Sequence, residues 1–242
     1  MQTLRTAILS VCMLSLVGCA SIPPQQPVAF NKNPAQAEET IAVSISDVPD
    51  VQITYPGASC LLCLGVAAVA NTGISTEVKK LNSDDLQPLG SELIEVLENS
   101  GHAVKVLDDK FSLKKLKKFE STEINAARKD YRPLKNQLQA SHLLVVNLDY
   151  VGIKRDYASY VPTSEPYAIV QGLAYIINLT TNIYEWYLPI QQRHSPGQEW
   201  KNPPSYPALI NAYYQAIETT REQVLSALSA DMPEDNTDSA SE

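Results

Sequence analysis

Histidine, glycine and basic residues are scarce in this chain, and each scarcity removes a class of chemistry. The three histidines, His102, His142 and His194, are scattered and show neither metal-ligand spacing nor an HExxH helix. Nine glycines build no phosphate-cradling loop, and "PGASC" lacks the glycine that a nucleophile elbow needs after Ser59. Asp149 and Asp156 read as solvated strand-end acids, with no partner at acid/base spacing. Lys and Arg number 19 against 27 Asp and Glu, and the net charge of -8 argues against nucleic acid as a partner. No apolar run approaches the ~20 residues of a membrane-spanning helix. The expectation is therefore a non-enzymatic protein without cofactor or metal. What the chain does have is 44% hydrophobic residues over 242 positions, enough for one core of ordinary size.

The N-terminus reads as a targeting segment. Arg5 precedes the apolar stretch "AILSVCMLSLV", whose length of about 11 residues suits a cleaved signal. "Leu16-Val17-Gly18-Cys19" closes it and resembles the lipobox of bacterial lipoproteins. The resemblance implies cleavage before Cys19, diacylglycerol on its sulfur and a further acyl chain on the new N-terminus. Several chains give stable attachment where one does not, at about 0.8 kcal/mol per buried methylene. Ala20 stands where enteric members of the family carry the Asp that retains them at the inner membrane, so the resemblance points to the outer membrane. Of the four cysteines, Cys12 leaves with the leader, Cys19 takes the lipid, and Cys60 and Cys63 remain to meet each other.

The chain divides into a signal peptide over 1–18, a flexible tether over 19–40, one folded domain over 41–230 and an acidic disordered tail over 231–242. The tether is rich in Pro, Gln and Asn; the tail, "DMPEDNTDSASE", has no core-forming pattern. Within the domain "TIAVSIS" and "VQITY" alternate as strands, the second ended by Pro56-Gly57. Ser83 is a plausible N-cap for a helix with Leu86, Leu89, Leu93, Val96 and Leu97 on one face and Gly101 just past its end. "HAVKVL" follows as a strand. A helix ending near Ala140 leads into a long strand from His142, with a bulge expected at Gly152. "YAIVQGLAYIINL" and "IYEWYLPI" form a hairpin, "QQRHSPGQEWKNPPSY" a loop, and a helix from Ser205 onward places Ile210, Tyr213, Ile217, Val224 and Leu228 on one side.

This order gives an α/β (α+β) domain: a mixed sheet with an antiparallel C-terminal meander, helices packed on the sheet and a closing helix. The element order and the "GLAYIINLTTNIYEW" hairpin resemble the α/β domain of envelope lipoproteins such as the curli-secretion channel subunit and the amino-terminal domain of the Tol-system propeller protein. No motif here carries functional residues over from them.

Four features compete for a functional role. Cys60-Leu61-Leu62-Cys63 follows a turn and opens a helix, where a thiolate would be stabilised. A structural disulfide, two buried thiols and a thiol–disulfide site are all open, although Leu-Leu between the cysteines is unlike redox sites. "CLLCLGVAAVA" is apolar on every side, so as a helix it should be enclosed by the core, by a partner or second copy, or by lipid; core is the expectation. "LKKLKKFE" sets Lys114, Lys115, Lys117 and Lys118 around two leucines, as a solvated connector helix or one lying on phospholipid. Tyr157, Tyr160, Tyr167, His194 and Trp200 form a candidate partner face, set against their ordinary use as strand residues.

The sequence thus points to a lipid-anchored outer-membrane protein whose periplasmic domain binds or scaffolds an envelope protein or a peptidoglycan-associated partner. The alternatives are an oligomeric, secretion- or channel-related lipoprotein and a thiol–disulfide enzyme using Cys60 and Cys63. Surface exposure is left open by the anchor alone.

Overall fold

The computed structural model describes residues 24–30, 39–107 and 113–229. The expected signal peptide, Cys19 and the acidic tail lie outside the described residues. Runs of alternating or continuous aliphatic residues become the strands β1 (Thr40–Ile45), β2 (Gln52–Thr54), β3 (Ala103–Val106), β4 (His142–Lys154), β5 (Tyr157–Ala158), β6 (Val161–Pro162), β7 (Tyr167–Asn178) and β8 (Tyr184–His194). Six of them make one mixed sheet in the order β3-β1-β4-β7-β8, with β2 also on β4; β5 and β6 pair separately. β1 runs parallel to β3 and to residues 142–146 of β4, and β2 runs parallel to residues 152–154. β4, β7 and β8 form the antiparallel meander. This is the mixed α/β architecture expected from the sequence.

The helices are α1 (Leu61–Ala70), α2 (Thr72–Val78), α3 (Leu89–Asn99), α4 (Leu134–Leu138) and α5 (Pro207–Ser229). Leu89, Leu93 and Leu97 of α3 recur at i, i+4 and i+8 and join Leu144, Val146, Ile176 and Trp186 in the main core. Each fully buried Leu contributes about 1.5–3 kcal/mol against the exposed state. α5 lies across β7 and β8 with Tyr213, Ile217, Val224 and Leu228 buried. Its seam includes Leu209 rather than Ile210, which stays half-buried. Arg221 of α5 pairs with Glu92 of α3 (Nε to Oε2, 2.8 Å).

The opposite face carries a smaller core. There Leu143, Val145, Tyr175 and Ile177 meet Tyr131, Leu134 and Leu138 of the connection that includes α4. Asn182, in the β7–β8 turn, holds this layer in place. Its φ is +64°, a left-handed conformation that Asn tolerates. Its Oδ1 accepts from the Tyr131 N–H (2.8 Å), and its Nδ2 donates to the Ala127 and Lys129 carbonyls (3.2 and 3.0 Å).

Several local expectations are corrected. Ser83 makes no side-chain cap; a 3-10 turn over Asp84–Leu86 comes first and α3 begins after Pro88, whose missing N–H interrupts a continuous helix. The lysine-rich stretch is not a helix: Leu113–Lys115 is a single 3-10 turn, and Lys118 then bridges Lys129. The β4 bulge falls at Asp149, between Leu148 and Tyr150. Gly152 is glycine for another reason: its φ is +147°, and a Cβ there would collide with the Gln52 carbonyl of β2. "QQRH" belongs to β8 rather than to a loop. Within the expected tether, Val28 pairs with Tyr187 on the edge of β8 and Phe30 is buried in the main core, so part of that segment is attached to the domain.

Candidate functional site

The connection from β2 to α2 contains no charged residue between Asp50 and Glu77, and α1 lies in its middle. Cys60 precedes α1 in extended conformation, and its Sγ accepts from the Cys63 N–H at 2.9 Å. Cys60 and Cys63 are joined in a disulfide with Cα atoms 4.9 Å apart. Gly57, at φ +85°, supplies the turn before the helix.

α1 touches the domain along one narrow stripe. Only Cys63 and Ala67 are buried, one turn apart, against Ala58, Tyr157 and the flank of Tyr55. The rest of the helix faces out: Leu61 is 89% exposed, Leu62 and Val69 77%, and Leu64 and Val66 more than 40%. The expectation that the core encloses this helix is therefore overturned. The domain offers it a groove wide enough for a disulfide sulfur and a methyl group, and no described element covers the larger side chains.

Asn71 ends the helix and braces it. It is buried, its N–H and Nδ2 both donate to the Ala67 carbonyl (3.1 and 2.7 Å), and Nδ2 also donates to the Tyr157 hydroxyl (2.7 Å). Its Oδ1 accepts from Arg155 Nη1 at 3.0 Å. Arg155 donates from Nε to the Ser164 carbonyl (3.2 Å) and stacks 4.8 Å above Trp200. The chain then turns by 75° into α2. The Tyr55 and Ser75 hydroxyls meet at 3.2 Å, and burial pushes the Tyr55 phenol above its ordinary pKa.

The β5–β6 hairpin adds to the same end of the molecule. Its Tyr157 and Ser159 N–H groups donate to the Pro56 and Gly57 carbonyls (2.7 and 3.2 Å), placing its tip beside the turn that leads into α1. Tyr160, 64% exposed, and Val161 stand at that tip. α1 and this tip together hold seven of the ten exposed large hydrophobic residues among those described.

The five residues of the expected partner face lie toward the Lys154–Tyr167 end of the sheet, and most of them turn inward. Tyr157, Tyr167 and Trp200 are buried, and half-buried His194 reaches Thr219 of α5 (2.9 Å). Tyr167 donates to Asp156 (2.9 Å) beneath the Arg193 guanidinium, 3.6 Å from its ring; burial and the Asp156 carboxylate raise its pKa. Tyr160 alone of the five is openly exposed. Tyr157 packs against Cys63 and Ala67 of α1, Tyr167 against Tyr150 and Ile169, and Trp200 joins the main core.

Two other constellations were not legible. His142 is buried between Glu39 (Nδ1–Oε2, 3.0 Å) and Glu185 (Nε2–Oε2, 3.0 Å). Burial works against the Glu185 charge, but hydrogen bonds from His142 and Asn178 hold its pKa below the ordinary carboxylate value. These residues come from three distant segments, so only the strand register brings them together. A cavity of about 150 Å³ lies at the carboxyl end of β1, lined by Ile45, Ser46, Leu86, Leu89 and Val146. It is small beside the ~300 Å³ of ordinary ligand pockets. Among the described residues no group of His, Cys, Asp and Glu is arranged to hold a metal ion.

The fold and its exposed apolar end define a mixed-sheet α/β domain with a protruding hydrophobic helix. No family model matches the chain, and no curated protein matches it. Among solved structures it is similar to a neuraminyllactose-binding hemagglutinin homologue from Helicobacter pylori, at 10% identity and TM-score 0.37 over 86% of this chain and 88% of that one. It is also similar to the PelC dodecamer subunit of Paraburkholderia phytofirmans (11%, TM-score 0.28, 86% and 96%). A third is the lipoprotein GNA1162 of Neisseria meningitidis (11%, TM-score 0.29, 75% and 99%). Likenesses this distant transfer no role to particular residues here.

Proposed function

We propose that this chain is an outer-membrane lipoprotein, attached through diacylglycerol on Cys19, whose periplasmic α/β domain binds or scaffolds an envelope component without catalysing a reaction. The supporting observation is the apolar end. A soluble monomer rarely exposes contiguous apolar surface beyond a few hundred Å², yet α1 presents five large aliphatic side chains beside Tyr160 and Val161. That end is the contact surface in this reading. Self-assembly through it is the second reading, because nothing lies within 4 Å of a Cβ built on Gly65, leaving the backbone open to a close neighbour.

Two experiments test the proposal. Labelled fatty acid should be incorporated into the native chain and lost in Cys19→Ala; a processed protein without label ends the lipoprotein reading. In-cell photocrosslinking from position 64 should capture an envelope component that position 106 does not, and identical patterns would remove the contact surface. A thiol–disulfide role is tested separately: replacing Cys60 and Cys63 by Ala should leave crosslinking and phenotype intact, and loss of either with the fold retained would favour it.

A further inference from the structure

The surroundings of α1 point to one occupant. At ~100° per residue, Leu64, Leu61, Val69, Leu62 and Val66 fan over an arc of about 200° around the helix, opposite the Cys63–Ala67 stripe. A seam with one neighbouring helix covers an arc of about 100°, so a second copy packed on α1 would leave half of this surface in water. Acyl chains have no such limit. They close around any convex apolar shape, and the missing charge between Asp50 and Glu77 removes the main cost of immersion. Exposed Tyr160, beside the base of α1, has the amphipathic ring favoured at the boundary between hydrocarbon and water.

Among the described residues no single helix is long and apolar enough to cross a membrane, and the α1–α2 pair, which has the length and composition, is bent by 75°. The ten residues of α1 extend about 15 Å and lie side-on to the domain, a shape suited to burial ~5–10 Å deep in one leaflet.

We propose that α1, with the β5–β6 tip, is a second membrane attachment: it seats side-on in the periplasmic leaflet of the membrane that holds the Cys19 lipid. This rests on the lipoprotein reading for which membrane is meant, and the chain length agrees with it. Gln25 is hydrogen-bonded to Asn125 at 2.9 Å, so the span from Cys19 to that point is at most about 20 Å. A tether that short keeps the domain on the bilayer surface with its Asn125 end close to the lipid.

The two attachments lie at opposite ends of the sheet. Asn125 accepts from the Tyr184 N–H at the start of β8, whereas α1 packs on Tyr157 beyond the Ala168–His194 end. Ten strand residues separate these levels, about 30 Å. Both reach one bilayer only when the strands lie along it.

The test uses the full lipidated chain in vesicles of phosphatidylethanolamine and phosphatidylglycerol, spin-labelled at Val66→Cys, Val69→Cys or Val106→Cys. Circular dichroism and thermal unfolding of each labelled variant check that it is folded. Collisions with oxygen, relative to an aqueous nickel chelate, should be severalfold higher at 66 and 69 than at 106, where β3 ends at the far edge of the sheet. Nickel access at 66 and 69 equal to that at 106 overturns the proposal. So does dipolar broadening at 66 and 69 that disappears on dilution with unlabelled protein, which would assign the helix to a second copy. Mass measurement of the Cys19 peptide in the same sample separates the two readings. Immersed labels without lipid on Cys19 uphold this attachment and refute the anchor; lipid on Cys19 with aqueous labels does the reverse.

Discussion

Single residues hold the apolar end in position, and Asn71 does the most. It closes the carbonyl end of α1 while bonding the Tyr157 hydroxyl and the Arg155 guanidinium. Asn71→Ala leaves both of those buried or half-buried groups short of a partner, so we expect a loss of about 2–3 kcal/mol in urea unfolding. A change below 0.5 kcal/mol would mean that the bend is held elsewhere. Glu185 gives a pH-dependent counterpart. Its folded pKa lies below the ordinary 4.5 because His142 and Asn178 bond it, against the opposing effect of burial. A depressed carboxylate contributes stability that is complete above its unfolded pKa and is lost as pH falls through the folded value. Glu185→Gln should therefore cost about 1–2 kcal/mol at pH 7, and the difference from the native chain should shrink below pH ~4.5. A gap in urea midpoints that stays constant from pH 7 to pH 3 would refute this assignment. Neither role was legible, because Asn71 and Glu185 act on residues 84 and 43 positions away along the chain.

At the scale of elements, local patterns reported what a segment becomes better than where it goes. The leucine row in α3 was readable because the burial period and the backbone period coincide there. β1 was readable from its β-branched residues although Ile41, Ala42 and Val43 are buried in succession, and the β7–β8 turn from its Thr-Thr-Asn residues. α1 was readable as a helix, but its uniform apolarity gives no face from which to infer a neighbour. Enclosure in the core was the natural expectation, and the narrow groove under Cys63 and Ala67 makes it wrong. The lysine-rich stretch failed differently: Leu113 and Leu116 suggest helical spacing, yet the backbone leaves helix after one turn and Lys118 pairs with Lys129 as extended chain. Exposure of α1 has a direct consequence for stability. Leu62→Gln with Val69→Gln should shift unfolding of the unanchored chain in detergent-free buffer by less than about 0.5 kcal/mol, as surface changes do. Ala67→Leu, at a fully buried position on the same helix, should cost about 1–3 kcal/mol through overpacking. If the double glutamine variant is the more damaging of the two, the helix is enclosed after all.

For the whole molecule, the proposed reading makes the sheet a spacer between two attachments of different kinds. The proposed covalent one would reach the domain through the chain before Val28, which pairs on the edge of β8; the other would be the side of a helix at the far end of the strands. A flexible tether over the full 19–40 span would have left the domain free to choose its orientation. The pairing of Val28 with Tyr187 and the Gln25–Asn125 hydrogen bond attach that segment to the domain, which tether composition could not reveal because the docking depends on residues more than 90 positions away. Orientation is then measurable. A fluorescent donor at Ile124→Cys, a fully open position beside Asn125, should transfer efficiently to acceptor-labelled headgroups, since the recumbent domain keeps that end within reach of the bilayer. A domain standing on its α1 end would raise the same donor by about 30 Å, and transfer would be weak. Inserting a long Gly-Ser spacer between Ala20 and Ser21 releases the covalent restraint without touching α1. Labels at 66 and 69 should stay immersed in that variant while transfer from position 124 falls, because only the short chain forces the far end down. Unchanged transfer from 124 with the spacer in place would show that the domain lies flat through its own surface, and the tether would lose its part in setting the orientation.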